Sequence, residues 1–238
     1  CLGLRRVVAP YHLAAGFPVL EHQGQDEQVG TALPEGFEWL YPYDQPETMR
    51  VLSTFYQKYY TDQQARTFLF GINPGRFGAG VTGVPFTDPV RLTVECGIEN
   101  PFLSRAELSS VFVWSFIRAY GGAEAFCRNF YITSLSPLGF IKDGKNINYY
   151  DDRLLQRAVE PFIVWNIRTQ LEFGANRDVA ICLGEGQNFA FFQKINAVHG
   201  FFREIIPLPH PRWVMQYRRK RMDEFVKRYV DVLTASHY

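Results

Sequence analysis

Arg66-Thr67-Phe68-Leu69-Phe70-Gly71-Ile72-Asn73-Pro74-Gly75-Arg76-Phe77-Gly78, running on to Thr82-Gly83-Val84-Pro85-Phe86, decides how this chain of 238 residues is read. Its first part, 66–72, is a short apolar run with the length of a buried strand. Glycines at 71, 75, 78, 80 and 83 then remove side chains where the backbone must turn sharply or come close to a ligand. Pro74 and Pro85 stiffen the same path. Asn73 is held at the strand's carboxyl end and an aromatic, Phe86, returns thirteen positions later. Open α/β folds put their ligand sites at that edge of the sheet.

Outward from this stretch the chain alternates strand and helix. Pro46 to Tyr60 predicts a helix, with Asp44 as a cap, Pro46 in the first turn and an apolar stripe of Met49, Leu52, Phe55, Tyr56 and Tyr59. Leu108 to Tyr120 is apolar nearly all round and closed by Gly121-Gly122, which predicts a buried helix with a glycine stop. Asn129 to Leu135 predicts a second strand, ended by Ser136-Pro137-Leu138-Gly139. Lys142 to Tyr150 is polar and is expected to be an exposed loop. Asp151 or Asp152 caps a helix running toward Gly174, where Pro161 costs about 3 kcal/mol mid-helix and predicts a kink or two helices. Asp178 to Leu183 and Glu204 to Leu208 give a third and a fourth strand, with a helix carrying Phe189, Phe192 and Ile195 between them. A last helix buries Met222, Phe225, Val226, Tyr229, Val230 and Leu233. Four strands alternating with helices imply one domain, 33–238, built on a parallel sheet covered on both faces. Residues 1–32 have no clean periodicity and are expected to form an irregular arm.

The composition is that of a globular protein, 47% hydrophobic and 21% charged. Net charge is +1, so any nucleic-acid footprint must be local. Cys1, Cys96, Cys127 and Cys182 show no CxxC and no metal-type spacing, and are expected as reduced thiols in a cytoplasmic, monomeric protein. No apolar run reaches the ~18 residues of a membrane span. Residues 2–20 faintly resemble a trimmed secretion signal, interrupted by Pro10 and His12, and the chain opens on Cys1 rather than Met, as a truncated sequence would.

Three strand ends are expected to converge on one edge of the sheet, bringing Asn73, Ser134 with Ser136, and His210 together. Each residue has a plainer reading: Asn in a Gly-Pro loop satisfies its own turn, and His between two prolines satisfies nearby carbonyls. Charge adds a second sign. Between Arg212 and Arg228 seven bases stand against two acids, a net of +5 that leaves the remainder at −4. Arg218-Arg219-Lys220-Arg221 is expected in the opening turns of the last helix, where cations oppose the macrodipole. An anionic partner such as phosphate accounts for this; a solvated helix face is the alternative. Phe86 suits stacking on a flat ring, Asn73 suits holding a water or a base edge, and His210 suits donation to a developing anion. No acidic pair or Ser-His-Asp order falls at these positions, and the glycine loop lacks the Gly-Lys-Ser/Thr ending of a Walker motif.

These residues resemble the uracil-DNA glycosylase superfamily, nearest its single-strand-selective monofunctional branch. The resemblance rests on Gly71-Ile72-Asn73-Pro74-Gly75 running on to Thr82-Gly83-Val84-Pro85-Phe86, on Pro137-Leu138, and on His210-Pro211 after the last strand. It covers Leu33 to Leu233. It implies a three-layer α/β/α sandwich on a four-stranded parallel sheet, and a monofunctional DNA glycosylase that needs neither metal nor cofactor. By resemblance, Asn73 positions the hydrolytic water, Phe86 stacks on the flipped base, and the backbone around Gly71, Ile72 and Gly75 faces the base edge. His210 stabilises negative charge on the leaving base. Pro74, Arg76, Arg212, Trp213, Arg218 and Arg219 are the expected DNA contacts, with Arg212 and Trp213 filling the gap left in the duplex. No pocket lysine is assigned to Schiff-base chemistry, so strand nicking is not expected.

The sequence departs from the branch at three places. Ser134 stands where the branch has its base-reading Asn, which opens the pocket to other deaminated bases such as xanthine. Arg76 replaces a second proline, and Pro211-Arg212-Trp213-Val214-Met215 replaces a Pro/Ser/Asn-rich wedge. The rival readings are a non-catalytic binder of damaged or single-stranded nucleic acid, and a nucleoside hydrolase.

Overall fold

The computed structural model describes residues 32–236. The irregular arm, the leader-like stretch and Cys1 lie outside them. The described residues contain seven strands: β1 (Phe37–Leu40), β2 (Arg66–Gly71), β3 (Phe130–Ser134), β4 (Gly139–Lys142), β5 (Lys145–Ile147), β6 (Ala175–Leu183) and β7 (Glu204–Leu208). Four of them form one parallel sheet in the order β3-β2-β6-β7. Every residue of β2 and β3 is buried, the pattern of strands covered on both faces. The cover comes from α1 (Pro46–Tyr59), α2 (Ala79–Thr82), α3 (Pro89–Cys96), α4 (Leu108–Tyr120), α5 (Ala123–Asn129), α6 (Arg153–Leu171), α7 (Gln187–His199), α8 (Pro211–Tyr217) and α9 (Met222–Ala235). The fold is the expected three-layer α/β/α sandwich.

The structure differs from the sequence reading at four places, each with a local cause. The segment expected as an exposed loop, Lys142 to Tyr150, contains a hairpin. In it β4 and β5 pair across Asp143-Gly144 and join β1 in a separate antiparallel sheet ordered β1-β4-β5. Both turn residues have positive φ, +50° and +68°, which is the Asp-Gly signature of a tight hairpin. Tyr149, just past it, is fully buried.

Pro161 does not divide α6, which runs unbroken from Arg153 to Leu171. The N–H it lacks would have bonded the carbonyl of Arg157, and both residues are exposed, so that carbonyl is not shut away from solvent. Leu155, Val159, Ile163 and Ile167, all fully buried, hold the helix to the core regardless. The cap of α1 is Gln45 rather than Asp44, whose Oδ1 instead accepts from Gln45 Nε2 at 3.0 Å.

The basic C-terminal helix is two helices. Arg219–Arg221 forms a 3₁₀ turn between them, and α9 opens with Asp223 and Glu224, the charges its N-terminus favours. Of the expected apolar stripe, Tyr229 and Leu233 are fully buried, and Met222, Phe225, Val226 and Val230 are partly so.

Two contacts carry the fold toward the sheet edge. Tyr229 stacks on Phe116 at 4.7 Å between ring centroids, and its hydroxyl donates to Pro209 O, so α9 grips the residue before His210. The end of β7 is tied to the chain after β6 by Gly184 N, which donates to Leu208 O at 2.7 Å. Cys96, Cys127 and Cys182 are buried free thiols, each pushed up to about 12 by burial. No helix among the described residues is long and apolar enough to cross a membrane.

Candidate active site

The carboxyl ends of β2, β3 and β7 open onto a cavity of about 430 Å³, within the size range of small-ligand sites. Ile72, Asn73, Pro74, Gly75, Arg76, Phe86, Ser134, His210 and Arg212 all line it. Ser136 does not: it is fully buried and its Oγ donates to Leu138 O at 2.7 Å. Trp213 lies beside a neighbouring groove of about 510 Å³ that shares Ile72, Asn148, His210 and Arg212 with the cavity.

The Asn73 carboxamide is held by backbone on both sides. Its Nδ2 donates to Ile147 O at 3.2 Å and Pro74 O at 3.3 Å, and its Oδ1 accepts from Tyr149 N at 3.1 Å. Two carbonyls on one side and an N–H on the other fix which atom is nitrogen. A carbonyl oxygen has two lone pairs, so one remains on Oδ1. The hairpin overlooked in the sequence therefore supplies the clamp. Tyr149 is itself fixed through its hydroxyl, which donates to Asn188 Oδ1 at 2.8 Å, while Asn188 Nδ2 donates to Gly71 O at 3.4 Å.

Phe86 occupies left-handed backbone space, φ +53°, where a bulky side chain is strained. Its ring packs directly against Gly71: a Cβ there would stand 2.6 Å from Phe86 Cε2 and Cζ. The same Cβ would be 3.2 Å from Ser134 Oγ, so the missing side chain at Gly71 makes room for both. The Phe86 ring is 6.1 Å from the imidazole of His210, tilted by 50°.

His210 Nδ1 accepts from Arg212 N at 3.2 Å, capping α8. Burial, reinforced by the Arg212 cation, lowers its pKa to about 4. The ring is therefore neutral at pH 7, and with Nδ1 accepting, its one proton sits on Nε2.

Several lining residues escaped the sequence reading. Glu107, at the start of α4, lines the cavity and takes the space a side chain at Gly78 would need. Burial raises its pKa, opposed by a hydrogen bond from Ser109 and by the Arg212 charge. Lys145, exposed on β5, also lines the cavity. Asn166 and Gln170 reach in from α6. The Asp143-Gly144 turn was the available signal for the hairpin residues; nothing in the local sequence marked Glu107, Asn166 or Gln170.

The basic segment is partly neutralised by pairing. Arg221 binds Glu224 at 2.7 Å, Lys227 binds Asp231 at 2.6 Å, and Arg228 binds Glu185 at 2.7 Å. Arg212, Arg219 and Lys220 are exposed and make no ion pair among the described residues. Arg218 lies over the Trp213 ring at 4.9 Å. Arg76 is less free than expected, with Nη1 donating to Gly144 O at 2.6 Å and its N–H to Asn146 Oδ1 at 3.0 Å. No group of acidic, His and Cys residues suited to a metal ion occurs among the described residues.

A parallel sheet with a clamped Asn, a ring over a glycine and a neutral His at its carboxyl edge defines a class. The family model of the uracil DNA glycosylase superfamily matches residues 57–234, and the chain belongs to that superfamily. It is a DNA glycosylase, a hydrolase of the base-excision type. Among solved structures it is similar to the SMUG2 of Pedobacter heparinus at 42% identity and a TM-score of 0.86. That match covers 95% of this chain and 97% of the other. No curated protein matches the sequence.

Proposed function

We propose that the protein is a monofunctional glycosylase that removes uracil, and other deaminated bases such as xanthine, from DNA. The observation that carries this reading is the Asn73 amide, clamped on three sides with one lone pair left over. That lone pair accepts from a water and aims its oxygen at C1′ of a nucleotide flipped out of the stack. Flipping costs least for a mismatched or single-stranded base. The flipped base stacks on Phe86 with the backbone around Ile72 along its edge.

As the glycosidic bond breaks, its electron pair stays on the base. His210, neutral with its proton on Nε2, donates a hydrogen bond to the oxygen that gathers this charge. A donor so placed typically supplies ~2.7–4 kcal/mol. The water oxygen bonds C1′, its proton leaves to solvent or to the departing base anion, and the products are free base and an abasic site. Asn needs no basicity for this, because the leaving base takes up charge well.

Arg212 and Trp213, on the first turn of α8, fill the gap left by the flipped nucleotide, while Arg218, Arg219 and Lys220 meet the phosphates. The protein acts as a monomer, with residues 33–238 as its single catalytic domain. Lys145 stays solvated and forms no Schiff base.

The test is a panel of oligonucleotides bearing uracil, xanthine, hypoxanthine or 5-hydroxymethyluracil, single- and double-stranded, assayed for free base and alkali-labile sites. Release of uracil supports the reading. Tight, salt-dependent binding with no base released from any member contradicts it.

A further inference from the structure

The groove beside the base cavity shares Ile72, Asn148, His210 and Arg212 with it. A nucleotide flipped into the cavity stays bonded through its phosphates to the nucleotides on either side. A groove bounded by the same residues is therefore placed to receive one of them. Trp213 and Tyr217 line this groove, four residues apart on one face of α8. Their ring centroids are 6.4 Å apart, and the two residues are 38% and 64% exposed. The Arg218 guanidinium covers part of Trp213, 4.9 Å from its ring, so Tyr217 is the more open of the pair. Single exposed apolar residues are ordinary, but adjoining aromatic rings beside a substrate cavity mark a surface that a ligand covers. The polar lining agrees. Gln187 and Gln216, both exposed, carry amides that donate and accept, which suits the edge of any base. Glu185, the acid in the lining, is bound by Arg228 at 2.7 Å, and Arg212 brings a cation to the same groove.

We propose that this groove is a subsite for the base next to the flipped one in single-stranded DNA, with Tyr217 as its stacking platform. This rests on the glycosylase reading above and adds a contact that the base cavity does not make. In a duplex the neighbouring base stays paired, and Trp213 fills the gap. In a single strand that neighbour has no partner, so it turns into the groove and stacks on Tyr217. Such stacking tolerates any sequence, because every base has a π-face. Its effect falls on binding rather than on bond cleavage, since Tyr217 does not line the base cavity.

Single-turnover excision followed against enzyme concentration separates half-saturation from the maximal rate. Wild type, Tyr217→Ala and Tyr217→Phe are compared on uracil-containing single strands and on the matching duplex. The single strands are intact, or carry a tetrahydrofuran in place of the nucleotide 5′ or 3′ of the uracil. On the intact single strand Tyr217→Ala should raise the half-saturating concentration roughly 5–150-fold, the range of one base–aromatic stack. Removing the neighbouring base on one side should weaken the wild type by a similar factor, and Tyr217→Ala by no more than about twofold further, because the two changes delete one contact. Tyr217→Phe keeps the ring and should stay within about threefold of the wild type, as should Tyr217→Ala on the duplex. No loss in Tyr217→Ala on the intact strand, or an equal loss on intact, base-deleted and duplex DNA, overturns the inference and leaves the glycosylase reading standing. A loss in Tyr217→Phe as large as in Tyr217→Ala also overturns it, since the hydroxyl would then make the contact. A wild type that releases no uracil from any strand sinks the glycosylase reading and this inference with it.

Discussion

His210 shows how one residue's surroundings set its chemistry. Its Nδ1 is occupied by Arg212 N and burial holds its pKa near 4, so the imidazole is a neutral donor through the physiological range. His210→Ala should lose about 100–1,000-fold in the rate of excision, the effect of deleting one donor to a developing anion. The pH dependence has a definite sign. Because the folded pKa lies below the ordinary 6.5, the unfolded chain binds the proton first, and stability falls with acidification from about 6.5 down to about 4. Thermal melts between pH 7 and 4 should show this loss, and it should shrink in His210→Ala. Gly71 makes the opposite kind of contribution. A methyl group there meets the Phe86 ring at 2.6 Å, so Gly71→Ala should displace the stacking ring and depress excision of uracil, read in the same single-turnover assay.

At the scale of elements, the β4–β5 hairpin fixes Asn73, and α9 fixes the residue before His210 through Tyr229. Tyr149→Phe removes the hydroxyl that ties the hairpin to Asn188, and should cost about 1–3 kcal/mol in chemical denaturation because Asn188 Oδ1 is left unpaired and buried. The central sheet was legible because β2, β3, β7 and the second half of β6 are largely apolar runs followed by glycine or proline, whereas the polar first half of β6, Ala175 to Arg177, was not read as strand. The same composition hid the second sheet, since β1, β4 and β5 are three or four residues long and half-polar. Their signal was the Asp143-Gly144 turn rather than any run. Pro161 misled for a related reason: its cost depends on which face of α6 it occupies, and one-dimensional spacing marked the proline without its exposure. The site divides the same way. Asn73, Phe86, Ser134 and His210 sit on strand ends or glycine loops, whereas Glu107, Asn166 and Gln170 reach the cavity from helices whose faces only the packing defines.

For the whole molecule, a net charge of +1 conceals a local excess of base between Arg212, which lines the cavity, and Arg228. Arg221, Lys227 and Arg228 are ion-paired, and Arg212, Arg218, Arg219 and Lys220 are the residues proposed to meet phosphates. Replacing both Arg219 and Lys220 by Ala should lower the slope of log Kd against log salt by about 1–2, with the rate at saturating enzyme unchanged. An exposed, solvated Lys145 should give no borohydride-trapped adduct with uracil-containing DNA. The account as a whole turns on the Asn73 amide holding water for attack on C1′. Single-turnover excision from uracil-containing DNA by Asn73→Ala, measured with its DNA affinity, tests that directly. Loss of most activity with binding roughly intact is the predicted result, and full activity in the variant contradicts the account.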